Sequence, residues 1–396
     1  MKPTLKTTWL QTLNRRTPLG WLQLSHEKSR LLVAIAGIAF ADILIFIQLG
    51  FQGALYDSNT ALIRALDADI VLVSPSAKNT QNLATFPRRR LYQARDIEGV
   101  ESAQAIYSGV IQWQNPQTQL EANIQVVGID PDQIAFHLPE VNDQLDTLKI
   151  PQTVLFDRKS RGEYGNVIAQ VEQGNRVSTE VDGKTVEIRG LFELGASFGA
   201  DSFLMTSQQN FSLLFPRRSS GSVSLGLIDV APGQNAETVA IALRSYLTED
   251  VNVLTLEEFI AKEQAYWSTE SPIGFVFGLG ATMAFVVGVV IVYQVLSTDV
   301  NTHMQEYATF KAMGYRHRYL LSIVFEESII LAVLGFIPGA LLSIGLYRLA
   351  AHATSLPLIL TVNRAILVFI LTVIMCLMSG AIATQKLQAA DPADMF

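Results

Sequence analysis

Three acidic residues lie inside long apolar stretches of the sequence: Asp42, Glu326 and Glu327. An ionised carboxylate near the middle of a membrane-spanning helix costs at least ~2.5 kcal/mol on insertion scales, so each side chain is expected to face protein or water. Asp42 fits two roles, a contact in a substrate or dimer seam and a hydrogen-bonded residue that packs helices together. Glu326 and Glu327 have three predicted roles: they are reached by water from the cytoplasmic side, they form an ion pair with Arg318, or they contact a substrate.

The residues outside the apolar stretches show no pattern typical of an enzyme. His137 is the only histidine between residues 51 and 272, which excludes a His-based triad or a multi-histidine metal site within that block. The pattern G-x-x-x-x-G-K-[ST] is absent, so any ATP and its Mg²⁺ must be bound by a separate subunit. Residues 88–90 are three consecutive arginines. They are predicted either to contact lipid phosphate or a partner, or to form a solvated helix start. We predict a non-catalytic chain with no cofactor or metal of its own and no nucleic-acid partner.

A charged and aromatic stretch, residues 301–319, separates two apolar stretches. Asp299 or Asn301 can cap a helix there, and Gly314 is placed to end it. The predicted helix of about three turns is too polar to enter lipid, so we expect it to lie along the membrane and contact a soluble partner. The residues expected to make that contact are Glu306, Tyr307, Phe310, Lys311, Met313 and Gly314. For Phe310 and Met313 the alternative is burial against the spans, and for Gly314 it is a plain helix stop.

The elements that must position these residues follow from the composition. Hydrophobic residues make up 49% of the 396 residues and charged residues only 16%, which is typical of an integral membrane protein. Four stretches are long enough to cross a ~30 Å hydrocarbon core. The predicted segments are an amphipathic elbow (1–30), span one (31–50), a polar block (51–272), span two (273–296), a coupling helix (297–319), span three (320–347), a loop (348–364), span four (365–383) and a tail (384–396).

Basic residues predict the orientation of these spans. The thirty residues before span one hold six Lys and Arg against one acid, Glu27, which places the N-terminus in the cytoplasm. Four spans then bring the C-terminus and the coupling helix to the same side and leave the polar block in the periplasm. That block carries 17 Lys and Arg against 28 Asp and Glu. We therefore expect a multi-pass protein of the bacterial inner membrane with an acidic periplasmic domain.

Strand-like and helix-like segments alternate in the polar block, so we predict an α+β membrane protein. The predicted strands are Asp69–Ser74, Ser102–Gln114, Gln119–Gly128, Gly165–Val171, Val177–Leu191 and Ser222–Val230. The predicted helices are Arg88–Ile97, Ala236–Thr248 and Leu256–Ala265. The sequence also indicates two subdomains, with a β-rich part inserted at about 151–218. Tyr266 and Trp267 precede span two, where aromatic side chains are expected at the membrane interface. The only cysteine, Cys376, lies in span four, which excludes an internal disulfide from the block.

These features resemble the permease subunit of ABC exporters of the MacB/FtsX type, the mechanotransmission or type VII class. The likeness is carried by the one-plus-three order of spans, by EYATFKAMGY at Glu306–Tyr315, and by the Ala-Asp-Pro ending at 390–392. Within this class, Pro18–Phe51 resembles the DevC branch of cyanobacterial permeases. In MacB the ATPase is fused to the permease. This sequence departs from that pattern, which implies an ATPase supplied as a separate chain.

The resemblance implies a set of partners and a mechanism. It implies a homodimer of permeases, two DevA-like ATPase subunits, a DevB-like membrane fusion protein and a TolC-like outer-membrane channel. The implied cargo is a lipid-like substrate, a glycolipid in the DevC branch, and the six contact residues of the coupling helix would then meet the ATPase. Two alternatives share the architecture: an FtsX-like signalling protein that activates a cell-wall hydrolase, and a LolC/LolE-like permease that releases lipoproteins.

Overall fold

The structure, a computed structural model, describes Trp21, His26 and residues 28–181, 183–219, 221–315 and 317–389, without the side chains at 308, 310–312, 317, 318, 320 and 386–389. The predicted elbow (1–30) and the end of the tail fall almost wholly outside these residues. The chain divides into two compact units. We call Met1–Gln52, Val276–Leu349 and Ile359–Phe396 the membrane unit, and Gly53–Phe275 with Ala350–Leu358 the sheet domain.

The helices and strands of the described residues are as follows. The helices are α1 (Lys28–Arg64), α2 (Arg89–Arg95), α3 (Pro139–Asn142), α4 (Leu145–Leu148), α5 (Gly165–Glu172), α6 (Gln208–Leu214), α7 (Ala236–Tyr246), α8 (Leu256–Ala265), α9 (Pro272–Thr302), α10 (Met304–Ala312), α11 (His317–Thr354) and α12 (Val362–Ala389), with a π-helix at Tyr266–Glu270. The strands are β1 (Ile70–Val73), β2 (Phe86–Pro87), β3 (Val100–Gln114), β4 (Glu121–Ile129), β5 (Thr153–Asp157), β6 (Val177–Val181), β7 (Lys184–Phe192), β8 (Ser202–Ser207), β9 (Ser222–Val223), β10 (Leu225–Val230) and β11 (Asn252–Thr255).

Four helices, α1, α9, α11 and α12, are long and apolar enough to cross a membrane among the described residues, which confirms the predicted spans. The helices continue beyond the predicted spans. At 1.5 Å per residue the 37 residues of α1 measure about 55 Å, against ~30 Å of hydrocarbon. Helix α11 contains Pro338 and continues through it as one helix.

Small residues bring α1 and α9 together in the membrane unit. Ala34 and Ala41 on α1 are 2% and 0% exposed. A Cβ added to Gly37 would lie 2.5 Å from Cγ2 of Ile291. A Cβ added to Gly288 would lie 2.9 Å from the Cβ of Ala41. The two helices therefore approach at distances that larger side chains would prevent, as expected for small residues at a transmembrane interface.

The sheet domain contains a nine-stranded sheet in the described residues, in the order β11-β1-β10-β3-β4-β8-β5-β7-β6. Most neighbouring strands are antiparallel, but β4 pairs with β8 and β5 pairs with β7 in parallel. Parallel neighbours need a crossover connection, and both helices and other strands lie in the chain between them. Strands β2 and β9 form a separate two-stranded sheet. The domain is therefore α+β, as the sequence predicts.

Strand β1 shows how the sheet is buried on both faces. Ile70 and Leu72 belong to one hydrophobic cluster, and Val71 and Val73 belong to another. Because successive side chains of a strand point to opposite faces, the two clusters lie on the two sides of the sheet. All four side chains are fully buried, which explains why the sequence of this strand is continuously apolar.

One predicted strand is wrong. The sequence predicts a strand at Gly165–Val171, but the structure has helix α5 there. Val167 and Val171 are one turn apart on the buried face of this helix, so their packing overrides the preference of β-branched residues for strands. The segment predicted to be inserted, 151–218, supplies four neighbouring strands at one end of the same sheet, β5 to β8. Its status as a separate subdomain stays a prediction.

Candidate coupling site

Helix α10 is a short helix in the chain between α9 and α11, where the sequence predicts the coupling helix. Helix α9 continues to Thr302, and the backbone N–H of His303 donates to the carbonyl of Asp299 at 3.1 Å. Helix α10 then begins at Met304. Asp299 and Asn301 are therefore inside α9, and the prediction that one of them caps the coupling helix is wrong, because α9 extends past its hydrocarbon-length core.

Tyr307 joins α10 to the two neighbouring membrane helices. Its side chain is 1% exposed and packs in a cluster with Val300 of α9 and with Ile323 and Val324 of α11. A buried aromatic residue of this size dominates the packing of such a small cluster. Tyr307 therefore fixes α10 to both spans, and its ring is not on the surface that a partner would reach.

The exposed residues of this segment are those that a soluble partner can contact. Glu306 is exposed, and Met313 is 61% exposed although its side chain is large and apolar. Gly314 has φ of +90°, in the left-handed region that favours glycine, so it ends the segment as the sequence predicts. The side chains of Phe310 and Lys311 lie outside the described residues. Tyr307 is buried, and the contact of the other five residues with an ATPase stays a prediction.

Residues 278–392 match a family model described as FtsX-like permease C-terminal. This part of the chain is FtsX-like. The FtsX-like segment contains most of α9, all of α10 and α11, and α12, so it includes the whole coupling site. Among curated proteins, none matches the chain.

Two solved structures are similar to part of the chain. One is the extracellular domain of the noncanonic ABC-type transporter YknZ from Gram-positive bacteria, with 13% identity over 48% of this chain and 100% of that chain and a TM-score of 0.32. The other is the periplasmic region of MacB from Actinobacillus actinomycetemcomitans, with 9% identity over 49% of this chain and 91% of that chain and a TM-score of 0.31. Each covers about half of this chain.

Within the FtsX-like segment, the carboxyl group of Glu327 faces that of Asp299. Glu327 is 0% exposed and Asp299 is 7% exposed. Nδ1 of His303 lies 3.6 Å from Oδ1 of Asp299. Glu326 is half-buried, and the side chain of Arg318, its predicted partner, lies outside the described residues. The two buried carboxyl groups thus lie where α9 and α11 pack together.

Asp42 is buried among the membrane helices of its own chain. It is 0% exposed, and Oγ1 of Thr372 in α12 donates a hydrogen bond to its Oδ1 at 2.6 Å. A Cβ added to Gly339 of α11 would lie 3.0 Å from its Cβ, so α11 also approaches it closely. Of the two predicted roles, this geometry favours the hydrogen-bonded residue that packs helices together. The sequence did not identify Thr372, because one threonine in an apolar span is common.

Helix α8 of the sheet domain carries a buried acid that the sequence did not single out. Glu263 is 2% exposed, and it accepts hydrogen bonds from Nε1 of Trp267 at 2.8 Å and from the backbone N–H and the hydroxyl of Thr80 at 3.0 and 3.1 Å. Burial raises the pKa of Glu263 to about 7, and the hydrogen bonds and nearby Lys262 oppose this only in part. Glu263 therefore joins α8, the π-helix and the loop before β2.

Trp267 differs from its expected place at a membrane interface. It is only 6% exposed, and its indole N–H is directed to Glu263 rather than to headgroups. It lies in the π-helix Tyr266–Glu270, which directly precedes α9. A single-turn π-helix inside an α-helical stretch is often found at functional sites. The prediction of an interfacial tryptophan at this position is therefore wrong, because a buried acceptor is available within the sheet domain.

Arg161 holds the C-terminal end of α11 within the sheet domain. Its Nε donates to the carbonyl of Thr354 at 3.0 Å, and its Nη2 donates to the carbonyl of Ser197 at 3.0 Å. Its Nη1 pairs with Oδ1 of Asp201 at 2.8 Å. A guanidinium directs several donors in fixed directions, so one side chain can hold three segments together. No local sequence pattern distinguishes Arg161 from a surface arginine, because its partners are distant in the chain.

Proposed function

We propose that the chain is the permease subunit of an ABC exporter and that it works as a lever. A separate ATPase would move α10, and the membrane helices would pass this movement to the sheet domain. The observation that carries the proposal is the attachment of α10 to both α9 and α11 through the buried Tyr307. The family match supports it, because the FtsX-like segment contains this attachment. No chemistry is assigned to the chain itself, and ATP and Mg²⁺ would be bound by the ATPase.

We propose the same orientation that the sequence predicts. Both termini and α10 would lie in the cytoplasm, and the sheet domain would lie in the periplasm. The excess of Lys and Arg before α1 supports this, since basic residues are retained on the cytoplasmic side. The four membrane helices support it as well, since an even number of spans returns the chain to the side on which it began.

The partners and the cargo are proposed from the sequence resemblance of Pro18–Phe51 and Glu306–Tyr315. They are a second copy of the chain, DevA-like ATPase subunits, a DevB-like membrane fusion protein and a TolC-like channel. The cargo would be a lipid-like molecule such as a glycolipid. In this scheme the sheet domain acts on cargo outside the cytoplasm, so the cargo need not pass between the four membrane helices.

The single cysteine makes the orientation and the ATPase contact directly testable. Cys376→Ser gives a cysteine-free background, in which Met313→Cys and Leu120→Cys place single thiols at exposed sites of the two units, 61% and 70% exposed. In intact spheroplasts we expect a membrane-impermeant maleimide to label position 120 and not position 313. With a DevA-like ATPase present, a photoactivatable label at position 313 should crosslink to the ATPase. Labelling of position 313 from outside would overturn the proposal.

A transport assay tests the lever itself. The permease would be reconstituted with the ATPase and the fusion protein, and ATP turnover and cargo release would be measured together. We expect Glu306→Ala and Lys311→Ala to reduce release per ATP, while Glu249→Ala, a matched change on the surface of the sheet domain, leaves it unchanged. Equal coupling in all variants would contradict the lever. ATP turnover without release, together with activation of a cell-wall hydrolase, would favour the signalling alternative.

A further inference from the structure

A polar pocket of ≈ 180 Å³ lies in the sheet domain where helix α2 packs on strand β3. Its lining comes from segments that are distant in the chain. Helix α2 with the residue before it supplies one wall, and residues 103–105 of β3 supply another. Asp130 and Gln133, in the loop after β4, and Gln208, at the start of α6, complete the lining. The pocket therefore lies wholly within one of the two units.

The size and the lining of the pocket suit a small polar ligand. Seven of its ten lining residues have polar side chains, and the other three are a leucine and two alanines. At ~30 Å³ per water the volume has room for about six waters, which is less than the roughly 300–1,000 Å³ of pockets for drug-sized ligands. The lining therefore excludes an acyl chain, and the volume fits a ligand of about one sugar ring.

Two arginines face the pocket from α2. Arg88, Tyr92 and Arg95 are four and three residues apart, so they share one face of the helix. Arg88 precedes α2 but has helical φ and ψ of −55° and −27°, so the spacing holds from there. Nη2 of Arg95 donates to the carbonyl of Ala103, which anchors it to β3. Among the residues that the structure describes, the guanidinium of Arg88 makes neither a hydrogen bond nor an ion pair, so its donors remain for a ligand.

The charges of the pocket converge on the hydroxyl of Tyr107, a residue of β3 that is 7% exposed. Burial raises the pKa of Tyr107, and the positive charge of Arg88 opposes this increase. Tyr92 and Asp130 raise this pKa further, so Arg88 and Asp130 act on the same point. With Arg95, the pocket holds two positive charges and one negative charge, a balance of +1. A ligand with a single negative charge would neutralise it.

We propose that this pocket binds a monosaccharide unit that carries one carboxylate, a uronic acid. The carboxylate would accept two parallel hydrogen bonds from Arg88. Gln133 and Gln208 would bind ring hydroxyls, since an amide both donates and accepts, and neither side chain has a hydrogen-bond partner among the described residues. The ring of Tyr92, 57% exposed, would pack on the apolar C–H face of the sugar. The proposal does not rest on the proposed export function, because binding needs neither an ATPase nor a cargo.

A sugar carboxylate fits the pocket better than a sugar phosphate or a neutral sugar. A phosphate monoester carries about −1.5 to −2 charges at pH 7, which is more than the pocket offsets. Asp130 would repel the excess charge. A neutral sugar would leave the guanidinium of Arg88 without an acceptor of opposite charge. We therefore expect the affinity for a uronate to exceed the affinity for either of the other two.

The test measures ligand binding to the full-length chain in nanodiscs of neutral lipid by isothermal titration calorimetry. The probes are D-glucuronate, D-glucose, D-glucose 6-phosphate and acetate, which separate the sugar ring from the charge. We expect the wild-type chain to bind glucuronate more tightly than the other three probes. Arg88→Gln should lose roughly tenfold in its affinity for glucuronate, the size expected for a charge-assisted hydrogen bond.

Three further variants separate a built site from general charge attraction. Arg89→Gln makes the same change of charge one residue away, at an exposed position outside the pocket, and should keep the affinity. Gln133→Ala changes an exposed side chain, so it should weaken glucuronate binding without affecting the fold. It should leave acetate binding unchanged, because acetate has no hydroxyls. Asp130→Asn removes the negative charge and should raise the affinity for glucose 6-phosphate relative to glucuronate.

Several outcomes would overturn the proposal. One is the absence of glucuronate binding, and another is equal binding of glucose, which would assign the pocket to neutral sugars. Tighter binding of acetate or of glucose 6-phosphate would assign it to a simple anion or to a phosphate. Equal affinities of Arg88→Gln and Arg89→Gln for glucuronate would show that the carboxylate does not bind at Arg88. If Arg88→Gln does not fold, unchanged preferences among the probes in both Gln133→Ala and Asp130→Asn would overturn the proposal instead.

Discussion

Replacing Glu263 with glutamine is expected to remove a pH dependence from the stability of the sheet domain. The native pKa of Glu263 is raised from 4.5 to about 7, chiefly by burial. Between these pH values the unfolded chain releases a proton that the folded chain keeps, so the contribution to stability is full below about 4.5 and is lost as pH rises to 7. At 1.36 kcal/mol per pKa unit the loss is on the order of 3 kcal/mol.

The hydrogen bonds of Glu263 supply the assay. Since Nε1 of Trp267 donates to Glu263 at 2.8 Å, the shift of its indole proton should follow the ionisation of the carboxyl group. The sequence has four tryptophans, and Trp267→Phe assigns the signal. In ¹H–¹⁵N spectra of the full-length chain we expect this signal to titrate with a midpoint near 7. Hydrogen exchange of 77–83 and 256–265, corrected for intrinsic rates, should show opening that becomes easier from pH 5 to 8.

Glu263→Gln should abolish both pH dependences while keeping the side chain's shape. Its absolute stability also changes, because an amide nitrogen cannot accept a hydrogen bond from Thr80, so the slope with pH is the quantity to compare. Lys262 neighbours Glu263, and Lys262→Gln serves as the control because it leaves the buried carboxyl group in place. An indole signal that titrates near 4.5, or a variant that retains the wild-type slope, would refute the reasoning.

Three other changes follow from buried contacts. Tyr307→Ala should lose about 3–5 kcal/mol of packing free energy in the cluster that fixes α10, whereas Tyr307→Phe should lose about 1 kcal/mol or less. We therefore expect faster hydrogen exchange of residues 304–312 in the Ala variant alone. Equal exchange in the two variants would contradict this. Arg161→Gln should speed the hydrogen exchange of residues 350–358, because three contacts of Arg161 are lost. The control Arg89→Gln changes an exposed arginine and should leave this exchange unchanged. Unchanged exchange in Arg161→Gln would mean that the three contacts do not hold residues 350–358 in place. Thr372→Val should lower the free energy of unfolding by about 1–3 kcal/mol in thermal unfolding, because Asp42 loses a buried hydrogen-bond donor. Thr372→Ser keeps a hydroxyl and should be close to wild type. Equal stability of the two variants would contradict the role of Thr372 as the donor to Asp42.

The sequence predicted those elements whose signal is local. Helix α8 has the predicted bounds, Leu256–Ala265, because Thr255 and Glu258 form a capping box that marks its start. The turn between β6 and β7 has a similarly local signal, the Asp-Gly pair at 182–183, and Gly183 has φ of +71°. The four spans followed from apolar length alone. In each case the residues that decide the structure are close together in the chain.

What the sequence missed depends on distant partners. Strand β5 was not predicted, and its place beside β7 and β8 is set by residues up to fifty positions away. The same holds for the site. Glu306 and Met313 are exposed as a docking surface requires, but Tyr307 is buried because α9 and α11 happen to supply Val300, Ile323 and Val324. Glu263 and Arg161 look like ordinary surface charges until their partners are known.

The four points at which the chain passes between the two units bear on the proposed lever. The first three fall inside α1, α9 and α11, so the backbone there is helical on both sides of the boundary. A force carried by a helix reaches the sheet domain only if the residues beyond the boundary are fixed within it. Leu62 of α1 is buried in the core, Glu263 fixes the stretch before α9, and Arg161 holds Thr354 at the end of α11. The proposed lever would therefore depend on these buried attachments as much as on α10, and loosening Glu263 or Arg161 would then weaken coupling without any change at the proposed ATPase contact.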